Sequence, residues 1–336
     1  MSVEKKPFFV DVPVRVTIWT RPECQRKQFE VLKQARPSIL FLQSDGGRNE
    51  KEWDAIRKNR AIFDNEIDWE CEVHKIYEET NQGLYTMSKK TSSYVWAHVD
   101  RCIFLEDDYV PAVSFFRFCA ELLEKYKDDS RIEMITGNNV FTEYADAKDQ
   151  DYFFSETGWS IWGTASWRDR ALQREYPLPY AGNEYIKNRL KENLPAFWFK
   201  KVSGYCSGTL VDGHTPGGEF FHAVNNVLHH RLVIVPTRNM ISNIGTTGEH
   251  ANVSKKSGRR TEVFNLPVFE IQFPIRHPDY VIDDKQFGKM YSRKLNHSRT
   301  HIGLFMNKMK NAVKMLFRGD LGKAIKRKTR TGEIEK

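Results

Sequence analysis

The residues best placed to do chemistry are Glu106, Asp107 and Asp108, which close the apolar run Ile103-Phe104-Leu105. Three consecutive carboxylates repel one another. At the end of a buried strand they are costly unless positive charge sits beside them. The usual partner is a hard divalent cation, Mg²⁺ or Mn²⁺. Such an ion takes carboxylate oxygens and holds phosphate oxygens at its open positions. If the strand persists to its end, alternation sets Glu106 and Asp108 on one face and Asp107 on the other, which leaves one carboxylate structural. The same residues also suit a helix start, since Asp108 precedes Pro111 and acidic residues favour a helix N-terminus. The two readings are compatible if a loop carries the metal ahead of a helix over 112–126.

The elements that must position this triplet can be read in order. Residues 14–19 (Val-Arg-Val-Thr-Ile-Trp) are β-branched and alternate, so they predict a strand, which ends at Thr20-Arg21-Pro22. A helix over 25–35 is stopped by Pro37. A strand over 38–43 ends in Ser44-Asp45-Gly46-Gly47. A helix over 53–63, a strand over 71–76, the turn Asn81-Gln82-Gly83, a helix over 84–97 and a strand over 101–105 follow. Such alternation implies a parallel sheet with helices on both faces, joined by right-handed crossovers. Loops at the carboxyl ends of its strands form the ligand crevice. Thr20-Arg21-Pro22, Asp45-Gly46-Gly47, the Gly83 turn and the acidic triplet all fall there. No G-x-G-x-x-G follows the first strand and no G-x-x-x-x-G-K-[ST] exists, which disfavours dinucleotide binding and P-loop chemistry.

The second half is less regular. It predicts a strand over 131–136, a Trp-, Gly- and Ser-rich stretch over 154–167, a helix start at 218–226, a strand over 232–236 and a polar turn over 243–250. Residues 251–300 read as loop-rich. Glycines among the tryptophans suggest close backbone approach to a ligand. No internal repeat stands out.

With 336 residues, 40% apolar and 13% aromatic, the chain is long enough for one large α/β domain or two smaller ones and is too apolar to be disordered. The five cysteines (Cys24, Cys71, Cys102, Cys119 and Cys206) are odd in number and form no C-x-x-C. That speaks against a zinc site or disulfide framework and suits a reducing compartment. The N-terminus lacks a signal-peptide apolar region, and no run approaches the ~18 apolar residues of a membrane span. The net charge of +8 is unevenly spread: residues 285–336 carry 15 Lys/Arg against Asp320, Glu333 and Glu335, leaving a mildly acidic body. A uniformly basic nucleic-acid binder is therefore not expected. Within the tail, Ile302, Phe305, Met306, Met309, Val313, Leu316 and Phe317 recur at helical spacing among Lys308, Lys310, Lys314 and Arg318. Such a cationic amphipathic segment, spanning 302–330, predicts attachment to an anionic membrane surface. A helix packed on the body with a solvated basic face is the alternative.

Four pieces of the chain, in order, resemble the nucleotide-diphospho-sugar glycosyltransferases with the GT-A fold, and more narrowly bacterial transferases of lipopolysaccharide and capsule assembly. They are the strand ending Thr20-Arg21-Pro22; Ile103-Phe-Leu-Glu-Asp-Asp108, a DxD-like motif followed by a helix; Trp162-Gly163-Thr-Ala-Ser-Trp167; and Asn243-Ile-Gly245 followed by His250. The resemblance implies a mixed, mainly parallel sheet, a nucleotide-binding half over 12–140, an acceptor half over 141–285 and a separate basic tail over 286–336. It implies that Asp108 binds Mn²⁺ or Mg²⁺ bridging the donor diphosphate, with His250 reaching the same centre. Glu106 and Asp107 would support ribose or sugar contacts. Thr20, Arg21, Pro22, Asp45 and Gly83 would line the nucleotide crevice, and Trp162-Gly163 the donor-sugar and acceptor pocket. Where the family often has Trp-Asp, this chain reads Gly217-Gly218-Glu219-Phe220, which makes Glu219 the expected general base and Asp212 the runner-up. A clear base candidate favours inversion. The implied partners are a nucleotide-sugar donor and a glycan or lipid-linked acceptor, met at the cytoplasmic face of the cell membrane during polysaccharide synthesis. A sugar nucleotidyltransferase is the competing enzyme class, but Thr20-Arg21-Pro22-Glu23-Cys24 lacks the glycines it wants. A membrane or nucleic-acid adaptor would leave the acidic triplet unexplained.

Overall fold

The computed structural model describes residues 5–174, 182–206, 218–245 and 263–296. The first half alternates as expected: β1 (Val10–Ile18), α1 (Pro22–Ala35), β2 (Pro37–Ser44), α2 (Glu50–Asn65), β3 (Glu72–Tyr77), α3 (Leu84–His98) and β4 (Arg101–Leu105). Then come a short β5 (Tyr109–Pro111), α4 (Ser114–Lys125), β6 (Ile132–Thr136), β7 (Tyr152–Ser155), β8 (Thr164–Trp167), α5 (Arg168–Leu172), α6 (Glu184–Asn193), α7 (Ala196–Cys206), α8 (Gly218–His229), β9 (Leu232–Pro236), β10 (Ile241–Asn243) and α9 (Lys285–Asn296). Eight strands form one mixed sheet in the order β3-β2-β1-β4-β8-β6-β9-β7, in which only β7 and β8 run against the rest. β5 and β10 pair antiparallel in a separate ribbon. The fold class is thus mixed α/β with a mainly parallel sheet. By packing, Met1–Tyr291 form one compact unit and Ser292–Lys336 a second.

Both faces of the sheet are covered, which is why β2 carries the continuous apolar run Ile39-Leu40-Phe41-Leu42. On one face Val14, Val16, Leu40, Leu42 and Ile103 pack with Phe29 and Leu32 of α1, Phe63 of α2, and Phe115, Phe118 and Leu122 of α4. On the other, Phe41 and Cys102 pack with Met87, Val95 and Trp96 of α3. Alternate residues of one strand therefore feed two cores.

Element ends depart from the sequence reading for local reasons. Helix α1 starts at Pro22, because proline at the first helical position gives up no intrahelical bond. Helix α2 starts at Glu50: the Asn49 side chain accepts the Glu52 N–H at 3.0 Å, a cap signalled by Asn-x-x-Glu. Helix α9 falls within residues expected to be loop. Asp284 opens it by accepting the Phe287 N–H at 2.8 Å. Its Gly288, a poor helix former, lets the helix lie against Thr157, whose hydroxyl would be 2.6 Å from an added Cβ.

A buried ionic cluster ties the second half together. Glu133 on β6 is 1% exposed. It accepts from Arg174 at 2.5 Å and from Arg231 at 2.8 Å. Burial pushes its carboxyl up, but the Arg174 charge and the other neighbours outweigh this and leave it at about 2. Burial and the same Arg174 charge lower the His222 imidazole of α8 to about 3. Both groups have depressed values in the fold. Their unfolded counterparts therefore take up protons first as pH falls, from 6.5 for His222 and from 4.5 for Glu133. The urea midpoint should accordingly drop as pH falls from about 6.5 towards 3, and a midpoint constant from pH 7 to 4 contradicts this. Glu133→Gln, which leaves two arginines short of their buried partner, should cost about 3–5 kcal/mol at pH 7 in the same unfolding experiment.

Candidate active site

Strand order reverses beside β1: β2 and β3 lie on one side, β4 on the other. In open α/β sheets a ligand crevice forms outside the carboxyl ends of the strands at such a switch point. Here the segments leaving β1 and β4 are Trp19-Thr20-Arg21 and Glu106-Asp107-Asp108, so the topology brings Arg21 to the acidic triplet.

The triplet does not continue the strand. β4 stops at Leu105, and a turn closed by the Tyr109 N–H donating to the Glu106 carbonyl at 3.1 Å carries the chain into β5. The expected alternation is therefore replaced. Asp107 and Asp108 share one guanidinium: Arg21 Nη1 lies 2.8 Å from Asp107 Oδ1 and 3.1 Å from Asp108 Oδ2. Glu106 stands apart with Arg15, whose Nη2 reaches its Oε1 at 2.7 Å. Arg15 also donates to Gln43 Oε1 at 3.1 Å and lies over the Phe104 ring. From α1, Gln28 Nε2 donates to the Glu106 carbonyl at 2.7 Å and the Tyr109 carbonyl at 2.8 Å, holding both ends of the turn.

The other crevice loops are tied down by polar contacts. Asp45 Oδ1 accepts the N–H groups of Gly46 and Gln82, each at 2.8 Å, and Oδ2 accepts Gly83 N–H at 2.9 Å and Asn81 Nδ2 at 3.2 Å. This carboxylate therefore splices the loop after β2 to the loop after β3. Gly83 adopts φ +83° at the start of α3, a conformation that favours glycine. Arg60 of α2 adds bonds to the carbonyls of Ser44, Asp45 and Glu78. Pro22 opens α1, and Thr20 is partly exposed beside Arg21.

Within the tryptophan-rich stretch one glycine lies close to a side chain of β10. Gly163, at φ +61°, leaves room for the Ile241 side chain, which would lie 2.5 Å from an added Cβ. Half-buried Trp162 packs between Tyr109 and Phe264, at ring-centroid distances of 6.4 and 5.0 Å. The Asn243-Ile-Gly245 segment closes on the triplet from the β10 side. Ile244 N–H donates to the Asp108 carbonyl at 2.9 Å, and an added Cβ on Gly245 would lie 2.0 Å from Asp108 Oδ2.

Glu219 is brought to the same end by connectivity. α8 leads through two residues into the amino end of β9, which runs parallel to β6. Its first turn must therefore lie towards the carboxyl ends of the strands. The buried Tyr109 phenol senses the result: burial pushes its pKa well up, and Glu106, Asp108, Glu219 and Asp107 each push it further. Burial likewise raises Tyr291, with Glu219 adding to it. Four carboxylates thus act on one buried phenol.

The electrostatics leave this centre short of positive charge. Burial pushes Asp107 up to about 7 against the pull of Arg21. Burial also lifts Asp108 to about 6. Asp107 Oδ2 is buried with no hydrogen-bond partner among the described residues. One monovalent guanidinium thus serves two crowded carboxylates while an oxygen lone pair is left over. Among the described residues no group of three or more His, Cys, Asp or Glu side chains is placed to hold a metal ion, so this pair would give a hard divalent cation two protein ligands and leave its other positions to phosphate oxygens or water.

Asp212 and His250 lie outside the described residues. Arg15 and Gln28, which the sequence reading did not single out, hold the turn in place. An arginine between valines in a strand buried on both faces demands an acid nearby, and that was the available signal. Gln28 offered none. A cavity of about 300 Å³ between residues 143–151, 237–240 and 269–276 has none of the triplet, Arg21, Asp45 or Glu219 in its lining.

No protein-family model and no curated protein matches the chain. Among solved structures it is similar to a mannosyltransferase from Pyrobaculum calidifontis in complex with GDP-Man and Mn²⁺, at 10% identity and a TM-score of 0.35, covering 67% of this chain and 72% of that one. It is also similar to a UDP-glucose pyrophosphorylase complexed with UDP-glucose, at 8% identity and a TM-score of 0.33, covering 68% and 91%. A UTP-bound UGPase from Acinetobacter baumannii follows at 7% and 0.31, covering 69% and 88%. Likeness this faint assigns no activity.

The splice made by Asp45 has a direct readout. Asp45→Ala should accelerate hydrogen exchange at the Gln82 and Gly83 amides by roughly tenfold, because each loses its acceptor. Exchange in the β1 and β4 amides should not change. Unaltered exchange at both loop positions would show that the carboxylate does not hold this loop.

Proposed function

We propose that this protein is a metal-dependent glycosyltransferase. It moves a sugar from a nucleotide-diphospho-sugar to a hydroxyl of a glycan or lipid-linked acceptor, with inversion. The observation that carries this reading is the Asp107–Asp108 pair at the switch point, sharing one guanidinium and leaving Asp107 Oδ2 unpartnered. Asp108, with Asp107 beside it, would hold Mn²⁺ or Mg²⁺, and His250 is proposed as a further ligand. The ion supplies charge neutralisation for the departing diphosphate when bound. The chain's own residues do the rest. Arg15, Gln43 and Gln28 keep the acidic turn rigid. Thr20, Arg21, Pro22 and the Asp45–Gly83 splice shape the nucleotide crevice, and Trp162 walls the sugar side. Glu219 takes the acceptor hydroxyl proton as the anomeric carbon gains oxocarbenium character, with Asp212 as the alternative base. The reading extends to cell-surface polysaccharide synthesis, lipopolysaccharide included, at the cytoplasmic membrane face.

A panel of nucleotide sugars with Mn²⁺ tests the activity, read as nucleoside diphosphate released and product mass. Asp108→Asn should abolish metal-dependent binding of the nucleoside diphosphate in calorimetry while melting cooperatively. Glu219→Gln should keep that binding and lose roughly 10²-fold or more in transfer rate. Unchanged binding in the first variant, or full turnover in the second, removes the role assigned to that residue. Release of pyrophosphate from a nucleoside triphosphate would make the protein a nucleotidyltransferase instead.

The basic stripe over 302–330 is proposed as the membrane anchor. Deleting residues 301–336 should abolish sedimentation with phosphatidylserine-containing vesicles and leave donor hydrolysis largely intact. Equal sedimentation of the truncated protein would rule the anchor out.

A further inference from the structure

We infer that Arg21 is a tethered counter-cation that competes with the divalent metal for the Asp107–Asp108 pair, so that metal loading requires its side chain to leave. This rests on the proposed metal-dependent reading of the same centre and adds a step to it.

Three observations carry the inference. First, the guanidinium occupies the space a shared metal would need. A single nitrogen, Arg21 Nη1, contacts Asp107 Oδ1 and Asp108 Oδ2 at 2.8 and 3.1 Å. A cation bridging the two residues would approach these same oxygens from the same side. Second, the rest of the carboxylate pair is walled in by protein. Gly245 closes on Asp108 Oδ2 so tightly that an added Cβ would lie 2.0 Å from it, and Asp107 Oδ2 is buried without a partner. Third, Arg21 is attached outside the regular elements. It sits at the N-cap of α1, outside the helix proper, on a φ/ψ of −116°/79°, and its side chain makes no cap bond. Pro22 fixes the helix behind it. Arg15 contrasts with it: its guanidinium is tied to Glu106 and Gln43 and lies over the Phe104 ring, which makes it a fixed counter-cation.

The arrangement predicts a sign that a purely supporting arginine would not give. A residue that merely helps build the metal site weakens metal binding when removed. A competing cation strengthens it. Two positive charges cannot share one part-buried carboxylate pair without mutual repulsion. Arg21 displaced by the metal is also freed to face anionic oxygens of a ligand arriving on the open side, so charge is reused and not lost.

The test is calorimetric titration with Mn²⁺ alone into wild type, Arg21→Met, Arg21→Lys and Asp108→Asn. Arg21→Met should bind Mn²⁺ roughly tenfold or more tightly than wild type, the scale of removing one like charge at this range. Arg21→Lys keeps the charge but not the planar fork, and should fall between the two. Without metal, Arg21→Met should melt below wild type, and Mn²⁺ should raise its Tm by more than it raises that of wild type. If Arg21→Met fails to fold, Arg21→Lys alone decides: affinity above wild type supports competition, and equal or weaker affinity overturns it. Wild-type binding that depends on Asp108, with Arg21→Met equal or weaker, overturns the inference and leaves the proposed function standing. Mn²⁺ binding by none of the four proteins, or binding undiminished in Asp108→Asn, overturns the inference together with the metal-dependent reading.

Discussion

The structure turns on how three adjacent carboxylates are tolerated at the end of a buried strand. The answer is two arginines from the β1 side, each assigned to a different part of the triplet. Arg15 neutralises Glu106 from within the sheet, and Arg21 reaches Asp107 and Asp108 from the loop after β1. Because β1 and β4 are neighbours at the point where strand order reverses, this pairing needs no long-range coincidence. The same neighbours that crowd the acids supply the bases. The division of labour is unequal, though. Glu106 has a guanidinium largely to itself and keeps substantial solvent contact, whereas Asp107 and Asp108 share one in a much drier place. Desolvation then outweighs the single positive charge, and both carboxyls stay above their ordinary range. The unmet demand for charge sits beside the carboxyl ends of β1 and β4.

Rigidity around that centre comes from polar residues acting on backbone. Gln28 grips both ends of the acidic turn, Asp45 binds three N–H groups across two loops, and Arg60 collects three carbonyls. These loops carry few strand hydrogen bonds of their own. Buried loop backbone must find partners elsewhere, and here side chains from α1, α2 and the loop after β2 provide them. Glycine does the complementary work where the chain must pass close to something. Gly245 lies against Asp108 and Gly163 against Ile241, contacts that a methyl group would break.

Much of the first half of the fold was legible from sequence because local signals and global topology agree there. Strands β1, β2 and β4 are β-branched or apolar runs closed by Gly, Pro or acid, and the helices between them have clear starts and stops. The triplet was likewise visible as a chemical oddity. What the sequence reading missed there was the turn after Leu105. It rests on Gln28 and on pairing between Tyr109–Pro111 and Ile241–Asn243, more than a hundred residues away, and no local pattern encodes such a contact. The second half was harder for the same reason. β7, β8 and β10 are only three or four residues long, too short for periodicity to register, and they are held by neighbours distant in sequence. Helix α9 hid behind Gly288, which lowers propensity but allows the close approach to Thr157.

The position of Glu219 shows how connectivity can place a residue that no motif identifies firmly. Its sequence neighbourhood, Gly217-Gly218-Glu219-Phe220, fits equally a helix N-terminus where a carboxylate merely suits the dipole. The short link from α8 to β9 removes the ambiguity of location. A helix of 12 residues returning to the amino end of a parallel strand must begin near the opposite end of the sheet. The amphipathic pattern of α8 then turns Phe220, Val224 and Val227 into the interior, which leaves partly buried Glu219 at the rim of the interior. Its field reaches Tyr109, the residue that follows the triplet. A carboxylate at the rim of an already acidic centre is electrostatically unfavourable unless its charge is used or neutralised. Desolvation holds Asp107 and Asp108 above the ordinary carboxyl range, and the field of Glu219 joins theirs at the Tyr109 phenol.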